Sequence, residues 1–252
     1  MPKPVTIHPS GRYRFLRGAP AFSSGVAASP GYQISHASLS MPIAWKDGLI
    51  AACNYLESAG LGSDALCAVE LRCAGPHSMN SFSSFNDEYF SLLNSWSMLV
   101  NGQNPVARTN VAPVIAPPSE TMLHAFSYVE PSEKSKASFV ISGGAELPYH
   151  QLDRSYIVRL GETSADAIVE KAACTAKIMR HRLNKLELGD GDITQVNVYT
   201  KHSIGQAFDS VFAKQLPIDR TGITWFYSQP PIVDLEFEMS MRGVQRELTV
   251  NF

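Results

Sequence analysis

Two arginines occupy corresponding positions, each next to an apolar segment in which a charged side chain is unexpected. Arg108 lies in "NPVARTNVAPVI" and Arg220 in "LPIDRTGITWF", and each stands between a proline-led segment and an apolar, strand-like run. A buried arginine must find a counter-charge or a ligand, because an unpaired buried charge is costly. Its planar fork of donors fits a carboxylate in two parallel hydrogen bonds. Two interpretations are open: a carboxylate-binding site, or an ion pair with a residue such as Asp219 or Glu238.

Two other side chains have the chemistry for acid–base work. Glu238 alternates with Phe237 and Met239, so its carboxylate leaves the apolar side of a predicted strand. There it could position or deprotonate a water molecule, or simply lie on a solvated outer face. His124, in the matching strand of the first half, could act as an acid or base near neutral pH. The alternative for His124 is a hydrogen-bonded core histidine.

The elements that must position these residues occur twice along the chain. The first series alternates strands and helices and ends in two strands: 31–42, 45–59, 65–73, 80–99, the stretch around Arg108, and 121–129. The second repeats this order: 138–148, a helix capped by Ser164, 192–200, 204–216, the stretch around Arg220, and 234–244.

The spacing within the two series also agrees. Ser35 and Arg108 are 73 positions apart, and Ser142 and Arg220 are 78 positions apart. A period of this size indicates tandem domains. The sequence therefore predicts an α/β (α+β, mixed-sheet) fold made of two modules, residues 1–130 and 131–252, with a charged, serine-rich linker around 129–138.

Bulk composition excludes several classes of function. The 252 residues carry a formal net charge of -2, which argues against a protein that tracks nucleic-acid phosphates. The four cysteines form no CxxC pair, and no apolar run approaches the ~20 residues that a membrane helix needs. The start of the sequence lacks the apolar core of a secretory signal, so we expect a cytoplasmic protein. Phosphate-loop, HExxH zinc and Gly-x-Ser-x-Gly motifs are missing, and no metal site is expected.

Several short motifs resemble one known family. "ISGGAELP" and, less closely, "ISHASLSMP" are similar to a family strand that ends in Ser-Gly and Pro, and "FSSFNDEYFSLL" to its helix. "ARTNV" and "DRTGI" stand where the family has its signature arginine, and "LEFEMSM" resembles its last, glutamate-bearing strand. Each half thus resembles the RidA (YjgF) enamine/imine deaminases, small trimeric proteins with a chorismate-mutase-like fold.

The resemblance implies an activity that needs no cofactor. In the family the arginine holds the carboxylate of a 2-imino or 2-enamino acid while water adds to the C=N carbon, which leaves a 2-oxo acid and ammonia. Arg108, Arg220, Glu238 and His124 are then the expected catalytic residues. The resemblance assigns hydrogen bonds to substrate or water to four more positions: Asn86, Tyr89, Ser35 and Ser142.

Departures from the family pattern imply a divergent branch with its own substrate, such as 2-aminomuconate. Val-Ala-Arg-Thr and Ile-Asp-Arg-Thr replace the usual arginine motif, and His124 replaces a glutamate. The alternative is a RidA-like protein that binds carboxylates, or regulates a partner, without turnover. Between the arginines we favour Arg108 as anchor, because Asp219 offers Arg220 a competing charge. The expected partners are a small carboxylate substrate and two further copies of the chain, giving a homotrimer of six modules, with no nucleic acid and no membrane.

Overall fold

The structure is a computed structural model that describes residues 5–134, 136–148 and 153–252. Part of the sequence inspected for a secretory signal, residues 1–4, and one position of the predicted linker, residue 135, lie outside the described residues. Within the described ranges, no helix is both long and apolar enough to cross a membrane.

Strands and helices alternate through most of the chain. The strands are β1 (Val5–Ile7), β2 (Tyr13–Leu16), β3 (Gly25–Ala28), β4 (Tyr32–Ala44), β5 (Leu66–Arg72), β6 (Ala107–Pro113), β7 (Met122–Pro131), β8 (Phe139–Ala145), β9 (Gln195–Tyr199), β10 (Thr224–Phe226), β11 (Ser228–Gln229), β12 (Glu238–Gly243) and β13 (Arg246–Val250). The α-helices are α1 (Trp45–Ser58), α2 (Met79–Ser95), α3 (Ala165–Lys185), α4 (Gly205–Ala207), α5 (Ala213–Gln215) and α6 (Ile218–Thr221).

The strands form two sheets that repeat one topology. One sheet has the order β11-β6-β5-β7-β4-β13 and the other β1-β2-β3-β8-β12-β9-β10. In the first, β5 and β6 are parallel, and β7 lies antiparallel between β5 and β4. In the second, β9 and β10 are parallel, and β12 lies antiparallel between β9 and β8. The predicted mixed-sheet fold with two tandem modules is confirmed by this repeated strand order.

Both sheets take strands from across the predicted boundary at residues 130 and 131. The N-terminal strands β1, β2 and β3 extend the second sheet through the pairing of β3 with β8. In return, β13 pairs in parallel with β4, so that Arg246 lies opposite Ser35 and Val250 opposite Leu39. The two sheets are thus built by exchanging strands across this boundary, which itself stays a prediction.

Apolar side chains form three main layers. α1 and α2 cover the first sheet around Leu49, Tyr89 and Phe126, and α3 covers the second around Met179 and Phe237. A third cluster joins the two sheets, with residues of β2 and β3 packed against residues of β4, β5, β6 and β7. The two modules therefore share a buried face, and the clefts along its border are fixed by packed elements on both sides.

The helix starts follow their sequence signals. Ser164 accepts a hydrogen bond from the amide of Ala167 at 3.3 Å, and Ser78 accepts one from Ser81 at 3.1 Å. Such caps satisfy amides that have no partner within the helix and stabilise it by about 1 kcal/mol. The helix predicted over 204–216 is present, with a π-helical turn at Phe208–Phe212 between α4 and α5.

One predicted strand is wrong. Arg220 lies in the helical turn α6, and the strand β10 begins only at Thr224. Pro217 precedes this turn and Gly222, at φ 64°, ends it. Proline at the start and glycine after the end commonly border a helix. Here these two residues favour a helical turn, although the apolar pattern of the segment is typical of a strand.

Candidate active site

A cleft of about 540 Å³ lies on the border between the two modules. Its walls come from α2 and β6 of the first half and from β8, α3 and β12 of the second. We call it the inter-module cleft, and its polar lining consists of the exposed Ser83 and Asp87 together with Asn86, Arg108, Asn110, Arg182 and Glu238.

Arg108 projects from β6 into an aromatic box. Its guanidinium carbon lies 4.5 Å from the ring centre of Phe22 and 4.6 Å from that of Tyr89, and Phe85 follows at 5.3 Å. Ring faces attract cations, so the box holds the guanidinium without neutralising it. Arg108 is only 3% exposed, and burial lowers its pKa to about 10. It therefore remains charged at neutral pH.

The polar contacts of Arg108 with the described residues leave Nη1 without a partner. Nη2 donates to Oδ1 of Asn86 on α2, and the backbone amide donates to Oγ of Ser142 at 3.0 Å. Nη1 is buried and has no hydrogen-bond partner among the described residues. A buried donor of a charged group without a partner costs free energy, which a ligand carboxylate would recover.

Asn110, two residues further along β6, also has buried polar atoms without a described hydrogen-bond partner. It is 4% exposed and lines the inter-module cleft, yet neither its Oδ1 nor its Nδ2 has a partner in the described part of the chain. Tyr89, which covers Arg108, also has a buried hydroxyl without a described partner. Unsatisfied polar atoms at this density mark a place where a ligand or water completes the hydrogen bonding.

Glu238 faces Arg108 from the second module. It lies on β12, is 4% exposed and lines the cleft. Burial raises the pKa of this carboxyl to about 8, against the opposing charge of Arg182. The sequence placed Glu238 on the non-apolar side of its strand, and that side faces the cleft and not solvent. A carboxyl group titrating near neutral pH can both give and take a proton.

Glycine at positions 143 and 144 of β8 permits this arrangement. A Cβ at Gly143 would lie 2.0 Å from Oε1 of Glu238, and one at Gly144 would lie 3.1 Å from Nη1 of Arg182. Any side chain there would displace both charged groups. Ser142, just before them, donates to the carbonyl of Ser23 at 2.6 Å and so ties β8 to the N-terminal segment.

Arg182 is a cleft residue that the sequence did not reveal. It lies on α3, is 8% exposed, and its Nη1 donates to the carbonyls of Ser142 and Gly143 at 2.8 and 3.2 Å. The available signal was its spacing: Met179 and Leu186 flank it on the buried side of the helix. An arginine inside an apolar stripe indicates a buried cation.

Three predicted site residues, Arg220, Ser35 and His124, lie away from the cleft. Nη2 of Arg220 donates to the backbone carbonyls of Asp190 and Ile193, so its donors are used to hold a loop. Ser35 on β4 donates to the carboxylate of Glu130, which also receives Arg246. That group of contacts fastens the exchanged strand β13 to the first sheet.

His124 faces a different set of charges. Its electrostatic neighbours are Arg72, Glu70, His36 and Arg242, which lie where the two sheets meet. Burial, with Arg72 adding to it, lowers the pKa of His124 to about 4. The histidine is thus neutral at physiological pH and is separated from Arg108 and Glu238, neither of which is among those neighbours.

A larger depression, of about 720 Å³, lies on the outer side of α3. It shares Leu147, Ile178 and Arg182 with the inter-module cleft but reaches neither Arg108 nor Glu238. The smaller cleft is therefore the candidate active site. No group of three or more metal-ligating side chains occurs in the ranges that the structure describes.

Comparison of the sequence with known proteins gives two agreeing matches. The family model described as "2-aminomuconate deaminase CnbZ" matches residues 5–248. A protein of Comamonas testosteroni named 2-amino-5-chloromuconate deaminase is 33% identical over 254 residues, which cover 98% of this chain and 99% of that protein. The expected resemblance to enamine/imine deaminases is confirmed by both.

Comparison with solved structures bears on the fold alone. A chorismatase crystal structure matches with a TM-score of 0.52 at 11% identity, covering 88% of this chain and 77% of that one. The YjgF product of E. coli matches with a TM-score of 0.30 at 17% identity, covering 54% of this chain and 94% of that one.

Proposed function

The chain belongs to the 2-aminomuconate deaminase CnbZ family, and from that premise we propose that the inter-module cleft hydrolyses a 2-amino-muconate-type dicarboxylate to the 2-oxo acid and ammonia. The chain is a deaminase, an enzyme that acts on a C–N bond. The observation that carries the assignment of the cleft is Arg108, a buried guanidinium whose Nη1, like the nearby amide of Asn110, has no hydrogen-bond partner among the described residues. The substrate's carboxylate next to the reacting carbon is the group that this donor fits.

Each cleft residue then has a distinct role. Arg108 binds the carboxylate next to C2, and Asn86 fixes the direction of its guanidinium. Asn110 completes the hydrogen bonding of the same end of the substrate. Glu238 exchanges protons with the reacting atoms. Binding and orientation supply most of the acceleration, since hydrolysis of an imine is intrinsically easy.

The reaction begins with a proton transfer from Glu238. Its raised pKa keeps the carboxyl protonated at neutral pH, so it can protonate a carbon of the conjugated enamine. The C–H bond forms, the π electrons shift, and C2 becomes the carbon of an iminium ion. Glu238 is then an ionised carboxylate beside this cation.

Water addition completes the sequence. The carboxylate of Glu238 takes a proton from a water molecule as the oxygen bonds to C2, which gives a carbinolamine and a protonated Glu238. That proton passes to the amine nitrogen. The C–N bond then breaks with loss of ammonia, the hydroxyl proton returns to Glu238, and C2 keeps the oxygen as a ketone. No cofactor takes part in any step.

The test of this proposal is ammonia release from freshly generated 2-aminomuconate. Replacing Arg108 by Ala removes a partly desolvated bidentate contact and should cost about 2–5 kcal/mol in kcat/KM. Arg108→Lys should recover little, because an ammonium keeps the charge but not the fork.

Arg220→Ala is the matched control. It removes the same type of side chain from the other half, where the guanidinium donates to the backbone carbonyls of Asp190 and Ile193. This variant should remain active, with folding of all variants checked by circular dichroism. Full activity in folded Arg108→Ala would show that Arg108 is structural and would refute this assignment of the cleft.

Two further expectations remain proposals. We propose an assembly of three chains, supported by the exposed Trp225 and Tyr227 at and beside the edge strand β10, where an apolar edge is normally covered. Light scattering that gives the mass of one chain would refute it. We also propose a cytoplasmic location, which cell fractionation can test.

A further inference from the structure

We propose that Arg182 binds the second carboxylate of the substrate, so that the inter-module cleft selects dicarboxylates over monocarboxylates. The inference rests on the proposed function and deepens it, since it assigns selectivity to a residue on the wall opposite Arg108. Arg108 projects from β6 in the first module and Arg182 from α3 in the second, and both line the cleft. A substrate with carboxylates at both ends can bridge these walls.

The two arginines of the cleft lack ionised partners among the described residues. Among the described residues the ion pairs involve other cations, and neither Arg108 nor Arg182 takes part in one. Both are more than nine-tenths buried. Two buried cations without ionised partners are unfavourable, and a dianion would neutralise both.

Glu238 does not supply the missing charge at neutral pH. Burial holds the pKa of its carboxyl at about 8, so the acid form predominates at neutral pH. Asp87 lines the outer part of the cleft but is exposed to water. The cleft therefore presents two positive charges to a ligand, and a monocarboxylate would leave one of them uncompensated.

Arg182 is also held in position before any ligand arrives. Nη1 is fixed by the carbonyls of Ser142 and Gly143, and the absence of a side chain at Gly144 leaves room for it. These bonds use one nitrogen of the fork. The others have no hydrogen-bond partner in the described chain, and a guanidinium that is already oriented loses little entropy when it binds a carboxylate.

A matched pair of inert acids tests the inference by calorimetry. Hexa-2,4-dienedioate and hexa-2,4-dienoate have the same conjugated six-carbon chain and differ by one carboxylate. The wild-type protein should bind the diacid at least roughly 30-fold more tightly. Arg182→Gln should reduce this preference to about threefold or less while leaving the affinity for the monoacid within about threefold. Equal affinities of the wild-type protein for the two acids would overturn the inference.

Two control variants separate the loss of carboxylate binding by Arg182 from a general loss of positive charge and from misfolding. Lys214→Gln removes one exposed positive charge from α5, away from the cleft, and should keep the preference. Arg182→Lys retains charge and a donor for the two carbonyls, so if Arg182→Gln fails to fold, a reduced preference in this variant supports the inference. If Arg182→Lys and folded Arg182→Gln both keep the wild-type preference for the diacid, the inference is contradicted.

The same proteins distinguish this inference from the proposed function. If the wild-type protein releases ammonia from 2-aminomuconate but Arg182→Gln lowers the affinity for both acids equally, the proposed function stands and the role of Arg182 in selectivity is refuted. If the wild-type protein releases none, yet binds the diacid through Arg182, the inference stands and the function fails.

Discussion

At the scale of single residues, burial of Glu238 makes its carboxyl keep a proton into the neutral pH range, although the charge of Arg182 opposes this. The folded protein holds a proton on this carboxyl up to about pH 8, whereas an ordinary carboxyl releases it near pH 4.5. Folding therefore favours the neutral acid. The stability that this gives is present at low pH and is lost as the pH rises through the window between these two values.

Two measurements follow for Glu238. The kcat/KM for 2-aminomuconate should fall as the pH rises through about 8, because the acid form makes the first proton transfer. The free energy of unfolding of the wild-type protein should decrease more steeply between pH 5 and pH 8 than that of Glu238→Gln, measured by urea denaturation. Parallel slopes for the two proteins would show that Glu238 has an ordinary pKa.

A second residue-scale prediction concerns Gly143. Its replacement by Ala would place a methyl group 2.0 Å from the present position of Oε1 of Glu238. The carboxyl must move, and kcat should fall by roughly ten- to a hundred-fold in a protein that still folds. Gly75→Ala, which meets nothing within 4 Å, is the control and should retain wild-type kcat. Equal kcat values for the two variants would show that Glu238 can shift without loss.

The sequence indicated some of these residues better than others. Arg108, Glu238, Asn86, Tyr89 and Ser142 are brought together, and their signals were short motifs of polar residues beside apolar runs. Arg220 shared the motif of Arg108 but was placed elsewhere by a local helical turn. Arg182 had no motif; its spacing with Met179 and Leu186 indicates a buried cation, but its contact with β8 comes from the packing of α3, which that spacing does not encode.

At the scale of elements, a buried ion pair positions the start of β12. Nζ of Lys171 on α3 lies 3.2 Å from Oε1 of Glu146 and donates to the carbonyl of Val158, and both charged side chains are fully buried. The carboxylate of Glu146 accepts the amides of Glu236 and Phe237 at 2.6 and 3.0 Å. The segment immediately before Glu238 is thus held by the pair.

Lys171→Met should destabilise the protein by about 3–5 kcal/mol, because it leaves the buried carboxylate of Glu146 without its cation. Urea denaturation gives the value. The double variant Lys171→Met/Glu146→Gln should recover part of the loss, since the neutral amide can still accept from the backbone. Lys177→Met, on the exposed side of α3, should change stability by less than about 0.5 kcal/mol. If Lys171→Met also lowered the free energy of unfolding by less than about 0.5 kcal/mol, the Lys171–Glu146 pair would contribute nothing to stability.

Helices α1, α2 and α3 and the strands β4 to β9 are predictable, because each has a periodic apolar face and a cap or turn at its ends. The pairings β3–β8 and β4–β13 are not predictable, since strands that meet across the whole chain leave no local pattern in the sequence. At this scale, sequence analysis missed the exchange of these strands between the sheets.

At the scale of the whole molecule, the exchange makes the halves dependent on each other. Fragment 1–130 lacks β13, and fragment 131–252 lacks the strands β1 to β3 that extend its sheet. Neither fragment alone should unfold cooperatively in urea, whereas a mixture of the two should regain a cooperative transition and ammonia release. Cooperative unfolding of either isolated fragment would show that the exchanged strands are dispensable.

The exchange also sets an order of events during synthesis. Ser40 and Asn251, which are hydrogen-bonded, are 211 positions apart, and a ribosome needs roughly 10–40 s to add that many residues. During this time the edge of β4 is not paired with β13, and an unpaired strand edge can pair with other chains. A nascent chain stalled before residue 246 should therefore bind chaperones that the released protein no longer needs.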